Sequence, residues 1–130
     1  MAPLAVPELA EILADYDRLV EVGIGERTAM AASLVERGSR VTATDVVERA
    51  VPPGVAFVVD DVTDPDPAVY RDADAIYSLR LPPELQRPAL AVARAAEADL
   101  LFTTLGGDPA VVPATPRTVA EGTCFVATRN

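Results

Sequence analysis

A chain of 130 residues, half of them apolar, is long enough for one hydrophobic core and too short for two, so residues 1–130 are expected to form a single domain. The formal net charge is −9, and the eleven basic residues are all arginine, with no histidine, no lysine and one cysteine, Cys124. These absences exclude a Walker-type phosphate loop, Schiff-base chemistry, a Ser-His-Asp triad, an imidazole or multi-thiolate metal site and an internal disulfide, and the acidity argues against a nucleic-acid partner.

In chain order, Pro7-Glu8 reads as the first turn of a helix whose apolar face is Leu9, Ile12, Leu13 and Tyr16. A first strand is expected over Leu19 to Gly23, then two glycines, Gly23 and Gly25, and a helix from Glu26 to Arg37 that stops at Gly38. Arg40 to Asp45 reads as the second strand. After the turn Pro52-Pro53-Gly54, Val55 to Asp60 reads as a buried third strand, followed by an acidic, proline-broken loop and room for one short helix. Ala75 to Leu79 is the fourth strand. The next helix ends near Glu97, with an irregular first turn and its regular part starting at about Pro88. Asp99 to Thr103 is the fifth strand, a Gly/Pro-rich loop runs to Pro116, and Thr123 to Thr128 is a final strand.

Strands that are continuous apolar runs and alternate with helices indicate a parallel sheet covered on both faces. The expected fold class is α/β, a Rossmann-like doubly wound, mainly parallel sheet of order 3-2-1-4-5, with the last segment at an edge. Ligands in such folds bind beyond the carboxyl ends of the strands at the switch point between strands one and four. That rule selects Glu21, Gly23, Gly25, Asp45, Asp60, Asp61, Ser78, Arg80, Thr103 and Thr104. Glycines let the chain turn and approach a ligand, the amides opening the next helix favour anionic or polar groups, and an acid ending strand two can hold ribose hydroxyls. Glu21, inside an apolar strand, needs a partner, for which Arg27 or Arg40 is available. Arg80 is placed to meet a substrate carboxylate or phosphate. No metal is expected at Asp60-Asp61.

Glu21-Val22-Gly23-Ile24-Gly25 resembles the first motif of S-adenosylmethionine-dependent methyltransferases, and the element order agrees from about residue 8 to 104. The resemblance implies that Gly23 and Gly25 line an adenosyl ligand, Asp45 holds its ribose, and Asp60 or Asp61 faces the adenine edge. Two departures stand out: Arg27 replaces the third glycine, and Arg80-Leu81-Pro82-Pro83-Glu84 stands where the superfamily has an Asp/Asn-Pro-Pro-aromatic motif after strand four. The closing antiparallel hairpin of that superfamily and a substrate domain are expected to be missing. Val20 to Asp45 together with Ser78 to Leu85 resembles an archaeal family of short methyltransferase-like proteins, uncharacterised protein family 0146.

Three functions follow as expectations: a protein that binds S-adenosylmethionine or a related adenosyl nucleotide without chemistry, a minimal methyltransferase of a small substrate, and an NAD-binding module with Thr28 at the third glycine position. The acidic, lysine-free composition resembles that of proteins from salt-loving archaea. With no apolar run near the roughly 18 residues of a membrane span, and no basic flank at Met1-Ala2-Pro3-Leu4, a cytoplasmic protein is expected. An exposed sheet edge at Thr123 to Thr128 would suit a homodimer.

Overall fold

In the computed structural model, which describes residues 5–129, every strand joins one sheet. The N-terminal tetrapeptide read for a targeting signal lies outside the described residues. The elements are α1 (Leu9–Leu13), β1 (Arg18–Glu21), α2 (Ala29–Glu36), β2 (Arg40–Asp45), β3 (Ala56–Val59), α3 (Pro67–Tyr70), β4 (Ala75–Ser78), α4 (Pro83–Ala95), β5 (Asp99–Phe102), β6 (Thr115–Val119) and β7 (Gly122–Ala127). The sheet order is β3-β2-β1-β4-β5-β7-β6, with the first five strands parallel and β7 antiparallel to both β5 and β6.

The parallel centre follows from the apolar runs. In β1, Leu19 faces a layer with Leu9, Leu13 and Leu34, while Val20 faces Leu90, Ala93 and Ile76 on the opposite side. Successive side chains point to opposite faces of a strand, so a strand buried on both sides must be apolar throughout. All four β4 residues are buried accordingly. Fully burying a leucine or valine contributes about 1.5–3 kcal/mol each, and the two layers on either side of the sheet supply the core.

Four expectations are corrected. A closing antiparallel hairpin is present: β6 and β7 form it, and β7 lies inside the sheet rather than at its edge. Proline cannot donate to a ladder, but Pro116 sits on β6, the outermost strand, where one side of the ladder is open. Phe125 of β7 pairs in register with Phe102 of β5, and their rings stack with centroids 5.4 Å apart, which fixes β7 against the parallel strands. With β7 paired on both sides, the edge invoked for a homodimer does not exist; the free edges are β3 and β6. Second, β3 is not buried, since three of its four residues are exposed. Third, α4 is regular from Pro83, and Pro88 stands inside it. The carbonyl left without a donor there is that of Glu84, whose residue is exposed to water. Fourth, α2 starts at Ala29, three residues later than expected, after a turn at Gly25-Glu26.

The hairpin also closes over the first helix. Ala120 N–H donates to the Pro7 carbonyl at 2.8 Å, and Glu121 Oε1 accepts from Leu9 N–H at 3.0 Å, satisfying one of the free amides that begin α1. Among the described residues no helix is long and apolar enough to cross a membrane.

Candidate functional site

The loop after β1 is laced to the strands on both sides. Val22 N–H donates to Tyr77 O at 2.9 Å, and Gly23 and Ile24 N–H both donate to Thr44 O at 3.0 Å. Thr44 Oγ1 donates to Glu21 O, and Gly25 N–H donates to Asp45 Oδ2 at 2.8 Å. Gly23 and Gly25 have φ of +71° and +57°, and a Cβ on either would meet nothing within 4 Å. Glycine is required here by the left-handed backbone, not by crowding from the protein. The amides of residues 22–25 are therefore engaged within the fold, and the start of α2 is displaced from them. The amides that open α2, expected from the sequence to favour polar or anionic groups, lie beyond this loop at Ala29, so the loop itself offers a phosphate none of the amides of residues 22–25.

Parallel pairing sets Glu21 of β1 beside Tyr77 of β4. Both are buried, and the Tyr77 hydroxyl donates to Glu21 Oε1 at 2.5 Å. Glu21's partner is thus a tyrosine, not Arg27 or Arg40, and the carboxyl stays without a counter-charge. Burial pushes its pKa from 4.5 up to about 7, opposed by the Tyr77 hydrogen bond. Burial, and then the adjacent carboxylate, drive the Tyr77 hydroxyl far above its ordinary value.

Asp45, ending β2, is only 8% exposed. Its Oδ2 also lies 3.5 Å from Arg49 Nε, and its Oδ1 accepts a long bond from Val47 N–H at 3.4 Å. Arg49 Nε is buried and makes no aligned hydrogen bond, so the ion pair is close without being saturated. Asp60 accepts from the Tyr70 hydroxyl at 2.5 Å and from Asp66 N–H at 3.0 Å. Asp61 is held by the hydroxyl and N–H of Thr63, which lower its pKa.

These groups surround one open cleft of about 1200 Å³ at the carboxyl ends of the central strands. Glu21, Gly23, Gly25, Asp45, Asp60, Asp61 and Arg80 all line it. Acidic side chains outnumber arginines around its walls by seven to three. Ser78 does not line it; its hydroxyl is buried and donates to Val22 O at 2.8 Å, tying β4 to the glycine loop. Thr103 and Thr104 line a neighbouring cleft instead. Sequence reasoning missed Tyr77, whose signal was a polar-tipped aromatic in a strand paired with the one that carries Glu21, and Arg49, whose signal was its spacing of four from Asp45. Among the described residues no cluster of acids and cysteine is placed to hold a metal ion.

Comparison with known proteins places the chain. The sequence profile described as Uncharacterised protein family (UPF0146) matches residues 5–130. The chain belongs to that family. A UPF0146 protein of Halobacterium salinarum is 57% identical over 122 residues, covering 93% of this chain and 95% of the relative. Another from Archaeoglobus fulgidus is 50% identical over 103 residues, covering 78% of this chain and 79% of the relative. Among solved structures, an RNA methyltransferase from Salinibacter ruber in complex with S-adenosyl-L-homocysteine superposes with a TM-score of 0.64 at 15% identity, covering 90% of this chain and 85% of that one. The N-terminal domain of EvdMO1 with bound S-adenosylhomocysteine gives a TM-score of 0.56 at 17% identity, covering 83% of this chain and 55% of that one. At such identities these structures establish the fold of this chain alone: a Rossmann-like, mainly parallel sheet of the kind seen in the Salinibacter ruber methyltransferase.

Proposed function

We propose that this UPF0146 protein binds S-adenosylmethionine or its demethylated product in the cleft beside the glycine loop. The observation that carries the proposal is the excess of carboxylates around a glycine loop whose amides are already engaged. A sulfonium and an ammonium suit such a cleft, and ribose hydroxyls suit a strand-end acid. A dinucleotide pyrophosphate would meet like charges beside a loop whose amides at residues 22–25 are already engaged, which places the NAD alternative behind. Gly23 and Gly25 present bare backbone, Asp45 takes the ribose hydroxyls, Asp60 or Asp61 faces the adenine amino group, and Glu21 supplies negative charge at the cationic end. The bound S-adenosylhomocysteine of the Salinibacter ruber and EvdMO1 structures supports this assignment by likeness of fold.

A second reading, methyl transfer to a small substrate, is favoured by the β6–β7 hairpin, whose presence completes the sheet. Methyl transfer needs alignment more than acid–base groups, so the lack of histidine and lysine leaves it open. Labelled methyl transfer to a small acceptor separates the two readings.

Calorimetric titration of the protein with S-adenosylmethionine, S-adenosylhomocysteine and NAD, in high and low salt, tests the binding claim. Saturable binding of the first two and none of NAD is expected; the reverse preference would overturn it. Ser78→Ala serves as the control, because its hydroxyl is committed to Val22 O. It should lose about 1 kcal/mol of stability and leave the affinity unchanged.

A further inference from the structure

We infer that the second cleft is a binding site for a small oxyanion, a carboxylate or phosphate, gripped by Arg27 and Arg80 where the two clefts meet. This cleft, about 1000 Å³, lies beyond β4 and β5 and is walled by Met30, Leu79, Phe125 and the Leu105 to Asp108 loop. Arg27 and Arg80 are the cations bordering both clefts. Among the described residues neither has a carboxylate within 4.0 Å, as is also true of Arg40, Arg71, Arg87, Arg94 and Arg117, but of these seven only Arg27 and Arg80 line the two clefts. The charge balance changes across this border. The first cleft is lined by seven acids and three arginines, whereas the second carries Arg27 and Arg80 against Asp108 and Glu121. Glu121 is already committed to Leu9 N–H.

The backbone of Arg80 supplies an independent observation. Among the described residues two non-glycine residues take positive φ, Glu97 at 55° and Arg80 at 56°. Glu97 follows the C-cap of α4, where the left-handed conformation ends a helix in the usual way. Arg80 has no helix before it; it is the second residue of the turn Leu79-Arg80 that follows β4, held by two bonds to the end of β5, Arg80 N–H to Thr103 Oγ1 and Leu81 N–H to Thr103 O, each 2.8 Å. Backbone of this kind persists where the surroundings fix it, and such positions cluster at ligand clamps and active sites. A guanidinium fork binds an oxyanion in bidentate fashion, while the acid-rich first cleft repels an anion. The oxyanion therefore stops at the border, with the rest of its molecule in the second cleft beside Thr103 and Thr104.

The site adds a second ligand to the adenosyl reading, and its test runs without any adenosyl compound so that the two can fail separately. Inorganic phosphate or succinate is titrated into the protein at fixed ionic strength and fixed chloride, with backbone amide and arginine Nε–H resonances followed by NMR. Saturable shifts are expected at Arg27, Arg80 and Thr103 with at least one anion; saturation by phosphate alone assigns a phosphate ligand, and by succinate alone a carboxylate. Arg80→Gly and Arg27→Gln should each weaken binding about tenfold or more, the effect of losing a charged hydrogen bond. Glycine adopts the φ of residue 80 freely, so Arg80→Gly should melt no lower than the parent. Absence of saturable shifts with both anions, or unchanged affinity in both variants, would overturn the inference. S-adenosylhomocysteine binding that fails while the phosphate or succinate shifts persist contradicts the adenosyl reading alone.

Discussion

Replacing Glu21 by glutamine is expected to raise the melting temperature at pH 8 by about 10 °C, an effect of about 3 kcal/mol, and to change nothing at pH 4.5. The cause is a buried carboxyl with no counter-charge, whose pKa rises from 4.5 to about 7 on folding. Between those values the folded state holds a proton that the unfolded chain has released, so stability falls as pH rises through that window. Below 4.5 both states are protonated and the penalty is absent; above 7 the full cost of an ionised, buried Glu21 is in place. Glutamine keeps an oxygen to accept from Tyr77 and removes the charge. Thermal unfolding of the two proteins at both pH values, at one high salt concentration, checks the prediction. An equal difference at the two pH values contradicts it. The same substitution should weaken binding of a sulfonium ligand at pH 8, because it removes the ionised carboxylate from the cleft wall.

Asp45→Ala should cost about 1–3 kcal/mol of stability and lower adenosyl-ligand affinity roughly ten- to hundredfold. The carboxylate accepts the Gly25 N–H, faces Arg49 and lines the cleft, so alanine leaves the Gly25 amide without its acceptor and the buried Arg49 Nε without its counter-charge. Asp45→Asn separates the two roles. It retains an oxygen for Gly25 and loses the charge that strengthens a hydroxyl contact, so stability should recover more than affinity does. Melting curves and calorimetry on both variants measure this. If neither variant alters affinity, Asp45 only shapes the turn.

The order of the five parallel strands was legible because all are bounded by turn residues and β1, β3, β4 and β5 are largely apolar, and the more polar Arg40–Asp45 coincides with its expected limits. The hairpin was not, because Pro116 and Arg117 in β6 spoil the apolar signal of a strand, and an outermost strand buried only at Val119 gives no periodicity to read. The exposure of β3 was hidden for a related reason: Phe57, Val58 and Val59 look like a core strand until the sheet is seen to end there. At the cleft, Gly23 and Gly25 were legible, since left-handed backbone at a strand-to-helix turn selects glycine. The direction of a side chain leaves no such trace. Ser78 and Glu21 both sit in strands that end at the switch point, yet one hydroxyl turns to the Val22 carbonyl while the other carboxyl stays at the cleft wall. The partner of Glu21 depended on the β1–β4 register, which pairs residues 56 apart.

The central claim is that the glycine-loop cleft receives an adenosyl ligand. Amide NMR of the protein titrated with S-adenosylhomocysteine addresses it residue by residue. The predicted result is saturable shifts gathered at Val22 to Arg27, at Asp45 to Val47 and at Asp60 to Thr63, with the β6–β7 hairpin unmoved; no shift at these positions at saturating ligand, or shifts gathered elsewhere on the sheet, would contradict it.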